Sequence, residues 1–163
     1  SRDEDDRPFP VGHPEFPYTQ LPARDGIPHG NLERSNRFPN DTFFRNWSSL
    51  SDSVTWDAEV LDSGTFEAEL YYTLPEENEG AVMELSFGGS SVSETIQVAH
   101  DPPLRGMEHD RIDRQESYVK DFISLKMGTI ELESGRDILT LKAIELPGSG
   151  GPDVRLLMLT RVE

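Results

Sequence analysis

The chain has 163 residues, a formal net charge of −16 at pH 7 and no cysteine. This length fits one domain, and its 34% of hydrophobic residues supplies a core only if alternation concentrates them. Disulfides and thiolate metal sites are excluded, no stretch is apolar enough for a membrane helix, and the excess of acid disfavours a nucleic-acid partner.

Residues 1–46 contain seven of the twelve prolines and show no sustained period of either 2 or 3.6. Such a segment is typical of an extended arm or linker. Aromatic residues, among them Phe9, Phe16 and Tyr18, are spaced through it and would anchor it across a folded surface. We therefore predict a proline-rich arm over 1–46 and a folded domain over 47–163. The first residue is Ser rather than Met, which is typical of a fragment or a processed chain.

Alternation of apolar and polar residues begins at Val54 and is typical of half-buried strands. It places Trp56 inward on a first strand, 54–60, and Tyr72 inward with Tyr71 outward on a second, 65–74. The turn sequence Asp62-Ser63-Gly64 between them predicts a hairpin. Five further strands are predicted at 81–87, 91–99, 127–133, 138–145 and 154–162. Seven strands without a convincing amphipathic helix predict an all-β protein, an antiparallel β-sandwich.

The acidic residues are concentrated in the middle of the chain, where 47–99 contains eleven acidic side chains and no lysine or arginine. Two interpretations are open: a solvated sheet face, which we favour, or a cation site. Calcium suits carboxylates in irregular loops, and the candidate ligands are Glu59, Glu67 and Asp153. Glu59 and Glu67 would lie on neighbouring strands, and Asp153 begins the last strand. Zinc is disfavoured because the four histidines lack helical ligand spacing.

The region from His100 to Phe122 has no clear periodicity, and a connection of this length inside a domain is typically functional. Aromatic faces bind sugar C–H groups, and arginine or lysine contacts anionic groups. The candidate ligand-binding residues are Tyr71, His100, Arg105, Arg111, Arg114, Tyr118 and Lys120. Two structural alternatives stay open: cross-strand packing for Tyr71, and pairing of the basic groups with neighbouring acids. No nucleophile elbow or phosphate-binding loop is present in the sequence, so no active site is predicted.

Several blocks of the sequence resemble the C-terminal region of bacterial sulfatases of the arylsulfatase and N-acetylglucosamine-6-sulfatase type. The blocks are Leu21-Pro22-Ala23-Arg24-Asp25-Gly26-Ile27-Pro28-His29-Gly30-Asn31, Arg34-Ser35, Pro39-Asn40, Asn46-Trp47, Val54-Thr55-Trp56, Ala99-His100-Asp101-Pro102-Pro103, 116–122 and 153–160. The catalytic signature of those enzymes, Cys or Ser followed by x-Pro-x-Arg, is absent from the sequence. The resemblance therefore implies a non-catalytic accessory domain whose partner is a sulfatase catalytic domain.

A second resemblance is to the calcium-containing carbohydrate-binding modules. It rests on the Trp56 strand, on Gly64-Thr65-Phe66 before a tyrosine strand, and on Glu133-Ser134-Gly135-Arg136 before Leu139-Thr140-Leu141. It implies a jelly-roll, galactose-binding-like sandwich that binds a polysaccharide, neutral or sulfated, with a structural calcium ion. The two resemblances together imply a secreted or periplasmic bacterial protein. The alternative function is a ligand-free structural domain that packs against the catalytic domain.

Overall fold

The computed structural model describes residues 7–36, 42–102 and 121–162, which contain twelve β-strands. The strands are β1 (Phe9–Val11), β2 (Tyr18–Pro22), β3 (Ile27–His29), β4 (Glu33–Arg34), β5 (Phe44–Arg45), β6 (Ser53–Val60), β7 (Gly64–Thr73), β8 (Val82–Phe87), β9 (Ser90–Thr95), β10 (Ile123–Leu132), β11 (Gly135–Glu145) and β12 (Asp153–Arg161). Single helical turns at Ala23–Asp25 and Glu76–Asn78 are the remaining regular elements of this part of the chain. None of the helical segments described is long and apolar enough to cross a membrane.

The strands form two six-stranded sheets that pack face to face. Sheet A has the order β1-β6-β11-β8-β9, with β3 also paired to β6. Sheet B has the order β10-β7-β12-β5-β4, with β2 also paired to β12. Every pairing between these strands is antiparallel except that of β1 with β6. The predicted all-β sandwich is confirmed.

The predicted hairpin of the strands around 54–60 and 65–74 is wrong. The strand β6 lies in sheet A, whereas β7 lies in sheet B, so the connection Leu61–Ser63 is an arch between sheets. The predicted inward faces are nevertheless right, because Trp56 and Tyr72 are both buried. Alternation determines which side chains point into the core, but it carries no information about which strand is the neighbour.

The apolar inner faces of the two sheets form one continuous core. Trp56 and Tyr72 are among its largest side chains, and both have less than 3% of their surface exposed. Each also has a hydrogen bond for its polar atom: the Trp56 indole N–H donates to the Pro22 carbonyl at 3.3 Å, and the Tyr72 hydroxyl donates to the Val98 carbonyl at 2.6 Å. Burial of a large apolar side chain contributes about 1.5 to 3 kcal/mol.

The described part of the proline-rich segment contributes strands to both sheets. In sheet A, β1 and β3 pair along one edge of β6. In sheet B, β2 pairs with β12 over five residues, and β4 and β5 extend the sheet beyond β12. Prolines are tolerated here because these short strands are at or near sheet edges, where a missing N–H donor leaves no broken ladder.

The sandwich has two different ends. We call one the loop end; it contains the turns at His29–Asn31, Trp47–Asp52 and Leu146–Pro152 together with His100 and Asp121. We call the other the arch end; it contains the arch Leu61–Ser63 and the turn from Gly12 to Pro17. These placements follow from the strand registers, since Ser53 and Thr73 lie at the loop end, whereas Val60 and Gly64 lie at the arch end.

A buried carboxylate fixes the turns of the loop end. Asp52 has 1% of its surface exposed, and its oxygens accept backbone N–H groups of Asn31 at 2.7 Å, Ser48 at 2.8 Å and Ser49 at 3.0 Å. Burial alone would raise the pKa of Asp52, but these hydrogen bonds favour the charged form more strongly and lower the pKa below its ordinary value. The carboxylate therefore joins the chain before β4 to the turn before β6.

We predict that Asp52→Asn lowers the free energy of unfolding by about 1 to 3 kcal/mol, because an amide keeps one acceptor oxygen and places its NH₂ group against the donors that bound the other oxygen. Since the folded pKa is lowered, the stabilisation is present above the ordinary value near 3.8 and disappears as the pH falls below it. Denaturant unfolding from pH 7 to pH 3 should show the difference between the two proteins shrinking on acidification. Glu59→Gln, at an exposed position, is the control; a pH-independent difference for Asp52→Asn would contradict the prediction.

Candidate functional site

Two of the seven predicted ligand-binding residues lie in the described part of the chain. Tyr71 is half-buried on the outer face of β7, between Ser124 of β10 and Leu156 of β12. His100 forms a two-way backbone bridge with Leu74, at 2.7 and 2.9 Å. The other five, Arg105, Arg111, Arg114, Tyr118 and Lys120, lie outside the described residues, and their roles stay predictions.

His100 holds the two ends of the long connection together. Its backbone is bound to Leu74, and its ring Nε2 donates a hydrogen bond to the Asp121 carbonyl at 2.8 Å. The ring is therefore engaged by the protein, in a position that orients the start and the end of the connection. This geometry gives His100 a structural contact in addition to its predicted role in ligand binding.

The three candidate calcium ligands are not brought together. Glu59 is exposed on the outer face of sheet A, whereas Glu67 and Asp153 belong to sheet B. Within sheet B, Glu67 is paired with Thr160 and Asp153 with Thr73, which separates them by roughly 20 Å along the strands. The expectation that Glu59 and Glu67 lie on neighbouring paired strands is therefore wrong. Over residues 7–36, 42–102 and 121–162, no group of three His, Asp or Glu side chains is arranged to hold a metal ion.

A groove at the arch end exposes aromatic rings. It lies where β1, at the edge of sheet A, approaches β2, at the edge of sheet B, and it encloses about 380 Å³. The apolar lining consists of Phe9, Pro10, Phe16, Tyr18 and Leu61, and the polar lining of His13, Thr19 and Gln20. We call this surface the aromatic groove. Phe16 and Tyr18 are 62% and 66% exposed, and among the described Phe, Tyr and Trp residues only these two are largely exposed.

Local alternation on β2 explains how the groove presents its side chains. Thr19 and Leu21 are buried, so Tyr18 and Gln20 point to solvent on one face, roughly 7 Å apart along the strand. The buried side chain of Thr19 is fixed by a hydrogen bond, since its Oγ1 accepts a hydrogen bond from the N–H of Gly12 at 3.3 Å. The strand thus places an aromatic ring and an amide side by side.

A tight turn positions the second ring. The N–H of Phe16 donates to the His13 carbonyl at 3.0 Å, and the N–H of Glu15 donates to His13 Nδ1 at 3.0 Å. The rings of His13 and Phe16 lie 4.9 Å apart at an angle of 47°. Because Nδ1 accepts a hydrogen bond, the neutral imidazole carries its proton on Nε2, which is a hydrogen-bond donor.

Arg161 joins the segments that carry the groove. Its Nη1 donates to the Ser63 carbonyl at 2.9 Å, and its Nη2 donates to the carbonyls of Gly12 and Asp62, each at 2.8 Å. The guanidinium also lies 4.7 Å from the centroid of the Phe66 ring, a favourable cation–π distance. One side chain of β12 therefore holds both the turn before Phe16 and the arch after Leu61.

Gly12 is required at this junction for two reasons. Its φ is +75°, a conformation that favours glycine, and a Cβ at this position would lie 2.8 Å from the Phe66 ring. The groove is not evident in the sequence, where Phe9, Phe16 and Tyr18 appear as anchors of an arm. The alternation of Tyr18-Thr19-Gln20-Leu21 was the available signal, but it covers too few residues to predict a strand.

Comparison with known proteins identifies the fold of the chain through solved structures. Neither a protein-family model nor a curated protein matches it. Among solved structures, a family 35 carbohydrate-binding module from Clostridium thermocellum matches with a TM-score of 0.57 and 14% identity, over 87% of this chain and 96% of the module. The carbohydrate-binding module CBM6cm-2 of Cellvibrio mixtus lichenase 5A, in complex with cellotriose, matches with a TM-score of 0.57 and 12% identity, over 89% of this chain and 98% of that one.

The same fold occurs in a protein of a different kind. The mosquito-larvicidal Cry4Aa toxin of Bacillus thuringiensis matches with a TM-score of 0.62 and 10% identity, over 90% of this chain and 24% of the toxin. At such identities the likeness establishes the β-sandwich, of the kind found in carbohydrate-binding modules, and the function has to be argued from the surface of this chain.

We predict that Arg161→Lys destabilises the protein by about 1 to 3 kcal/mol, because a single ammonium group cannot reproduce a planar guanidinium that binds three carbonyls and a ring. Hydrogen exchange of segments 9–20 and 60–65 should become faster than in the parent protein, while exchange at the loop end stays the same. Arg45→Lys is the matched control, since Arg45 forms an exposed ion pair with Glu33, which contributes little. Unchanged exchange in both segments of Arg161→Lys would show that the contact does not hold the groove.

Proposed function

We propose that this chain is a non-catalytic carbohydrate-binding domain that holds a polysaccharide in the aromatic groove. The observation that carries the proposal is the exposure of Phe16 and Tyr18 on one concave surface of a sandwich whose other described aromatic residues are buried or half-buried. Large exposed aromatic rings in a concave site are typical of ligand recognition. The fold shared with two carbohydrate-binding modules supports the same function.

The chemistry of the groove suits a sugar ring. A pyranose has apolar C–H faces and a rim of hydroxyl groups, so it needs flat apolar surfaces next to neutral donors and acceptors. The rings of Phe16 and Tyr18 supply the surfaces, and the Gln20 amide and His13 Nε2 supply hydrogen bonds. The volume of about 380 Å³ lies in the usual range for small-ligand sites.

Binding without catalysis fits the lining residues. Glycoside hydrolysis requires two carboxyl groups on opposite sides of the scissile bond, and the part of the groove formed by described residues contains no Asp or Glu. The polar lining consists of an imidazole, a hydroxyl already bound to Gly12, and an amide. These groups can form hydrogen bonds with the hydroxyl groups of a sugar, and we assign them that role.

We further propose a setting for the domain from its resemblance to the C-terminal regions of bacterial sulfatases. In that setting the protein is secreted or periplasmic, and the domain brings the polysaccharide to an attached sulfatase catalytic domain. A structural calcium ion stays part of this proposal, without a ligand set among the described side chains. The competing function is a ligand-free domain whose exposed apolar groove packs against the catalytic domain.

We predict that Tyr18→Ala and Phe16→Ala each weaken polysaccharide binding by at least about tenfold, which corresponds to a loss of about 1.4 kcal/mol. Both residues are exposed, so the free energy of unfolding should change by less than about 0.5 kcal/mol. Affinity electrophoresis in gels containing soluble polysaccharides measures the binding, and denaturant unfolding measures the stability.

Tyr71→Ala is the matched comparison, because it removes the same side chain from the surface that the sequence analysis favoured. It should leave retardation in the gel unchanged. If Tyr71→Ala abolishes retardation while Tyr18→Ala does not, the polysaccharide is bound at Tyr71 and the groove is not the site. If the parent protein is not retarded by any polysaccharide, the ligand-free structural function is favoured.

A further inference from the structure

We infer that the aromatic groove selects neutral sugar residues and disfavours sulfated or otherwise anionic ones. The inference rests on the proposed function and names the ligand class of the same site. The selectivity applies to the sugar residues that enter the groove. A partly sulfated polysaccharide would therefore be bound through its unsulfated residues.

The charge of the groove favours a neutral ligand. The described residues that line it include no lysine and no arginine, whereas recognition of a sulfate ester relies on such side chains. Arg161, which binds the turn and the arch beside the groove, directs its guanidinium at the carbonyls of Gly12, Asp62 and Ser63 and at the Phe66 ring. It is therefore committed to the protein rather than presented to a ligand.

The position of nearby carboxylates also favours a neutral ligand. Glu15 lies in the turn between His13 and Phe16, and Glu59 is paired in register with Pro10, which lines the groove. Both carboxylates are exposed. An anionic group placed in the groove would be repelled by these two charges, and salt at physiological concentration screens that repulsion beyond about 8 Å.

The polar atoms that face the ligand also favour a neutral one. The Gln20 amide is both a donor and an acceptor, and it has no side-chain hydrogen bond within the described part of the chain. His13 offers Nε2–H, because its Nδ1 is occupied by the N–H of Glu15. Tyr18 adds a hydroxyl on the same face as Gln20. All three are neutral groups of the kind that form hydrogen bonds with sugar hydroxyls.

The test compares neutral polymers with their own sulfated derivatives: laminarin with laminarin sulfate, hydroxyethylcellulose with cellulose sulfate, and dextran with dextran sulfate. Binding of the full chain is measured from about 20 to about 500 mM NaCl. We expect at least one neutral polymer to bind, its sulfated form to bind more weakly, and the neutral affinity to change by less than about twofold across this range, because few counterions are released.

A pair of variants tests whether the Gln20 amide contributes to binding of the neutral polymer. Gln20→Ala should weaken binding of the neutral polymer by about fivefold or more, whereas Gln97→Ala, which removes an exposed amide at the loop end, should leave it unchanged. Sedimentation velocity of the same proteins tests whether the groove is instead occupied by a second copy of the chain.

The outcomes distinguish failure of the neutral ligand class from failure of carbohydrate binding itself. Tighter binding of a sulfated form, with affinity falling steeply as salt rises, overturns the neutral ligand class while leaving carbohydrate binding intact. A dimer that dissociates in Tyr18→Ala assigns the groove to a second copy and also overturns the inference. Failure of every polymer to bind overturns the proposed function itself.

Discussion

The fold depends on the burial of the inner faces of β6 and β7, which lie in different sheets, in one common core. Each strand presents an unbroken row of buried residues at every second position, including Trp56 on β6 and Phe66 on β7. Because the chain passes from one sheet to the other at Leu61–Ser63, both rows point into the core between the sheets. The remaining strands extend sheet A from β6 and sheet B from β7.

Because the inner faces of the sheets are buried, only the outer faces, the sheet edges and the two ends of the sandwich can contact a ligand. The buried aromatic residues Trp56 and Tyr72 stabilise the core, and their polar atoms are hydrogen-bonded within the protein. Recognition is left to side chains that the alternation turns outward or that lie beyond the paired strands. The aromatic groove is of this kind: β1 and β2 cover the sheet edges, and Arg161 fixes the turn and the arch that complete it. A short, proline-containing segment thereby closes the sandwich and provides its most exposed rings.

The direction of side chains, inward or outward, could be predicted well from the sequence, whereas the pairing of strands could not. Alternation correctly placed Trp56 and Tyr72 inward, because period-2 burial is a local property of a strand. The turn at Asp62-Ser63-Gly64 predicted a hairpin, but whether a short turn joins neighbours or crosses between sheets depends on the packing of the whole sandwich. The expectation that Glu59 and Glu67 lie on neighbouring strands was wrong for the same reason, since it rested on that hairpin, whereas the bound calcium ion stays a proposal. The groove was missed because it is assembled from β1, β2 and the arch, which are far apart in the chain and individually too short to show a pattern.

The central claim is that a sugar is bound by the aromatic groove, and backbone amide chemical shifts test it most directly. The ¹H–¹⁵N spectrum of the full chain is recorded during titration with an oligosaccharide of a neutral polysaccharide that retards the protein. The account predicts progressive shifts of the amides of Gly12, Thr19, Gln20 and Leu61, with the amides of Gln97 to His100 unchanged. Shifts confined to the loop end, with the groove amides unmoved, would contradict it.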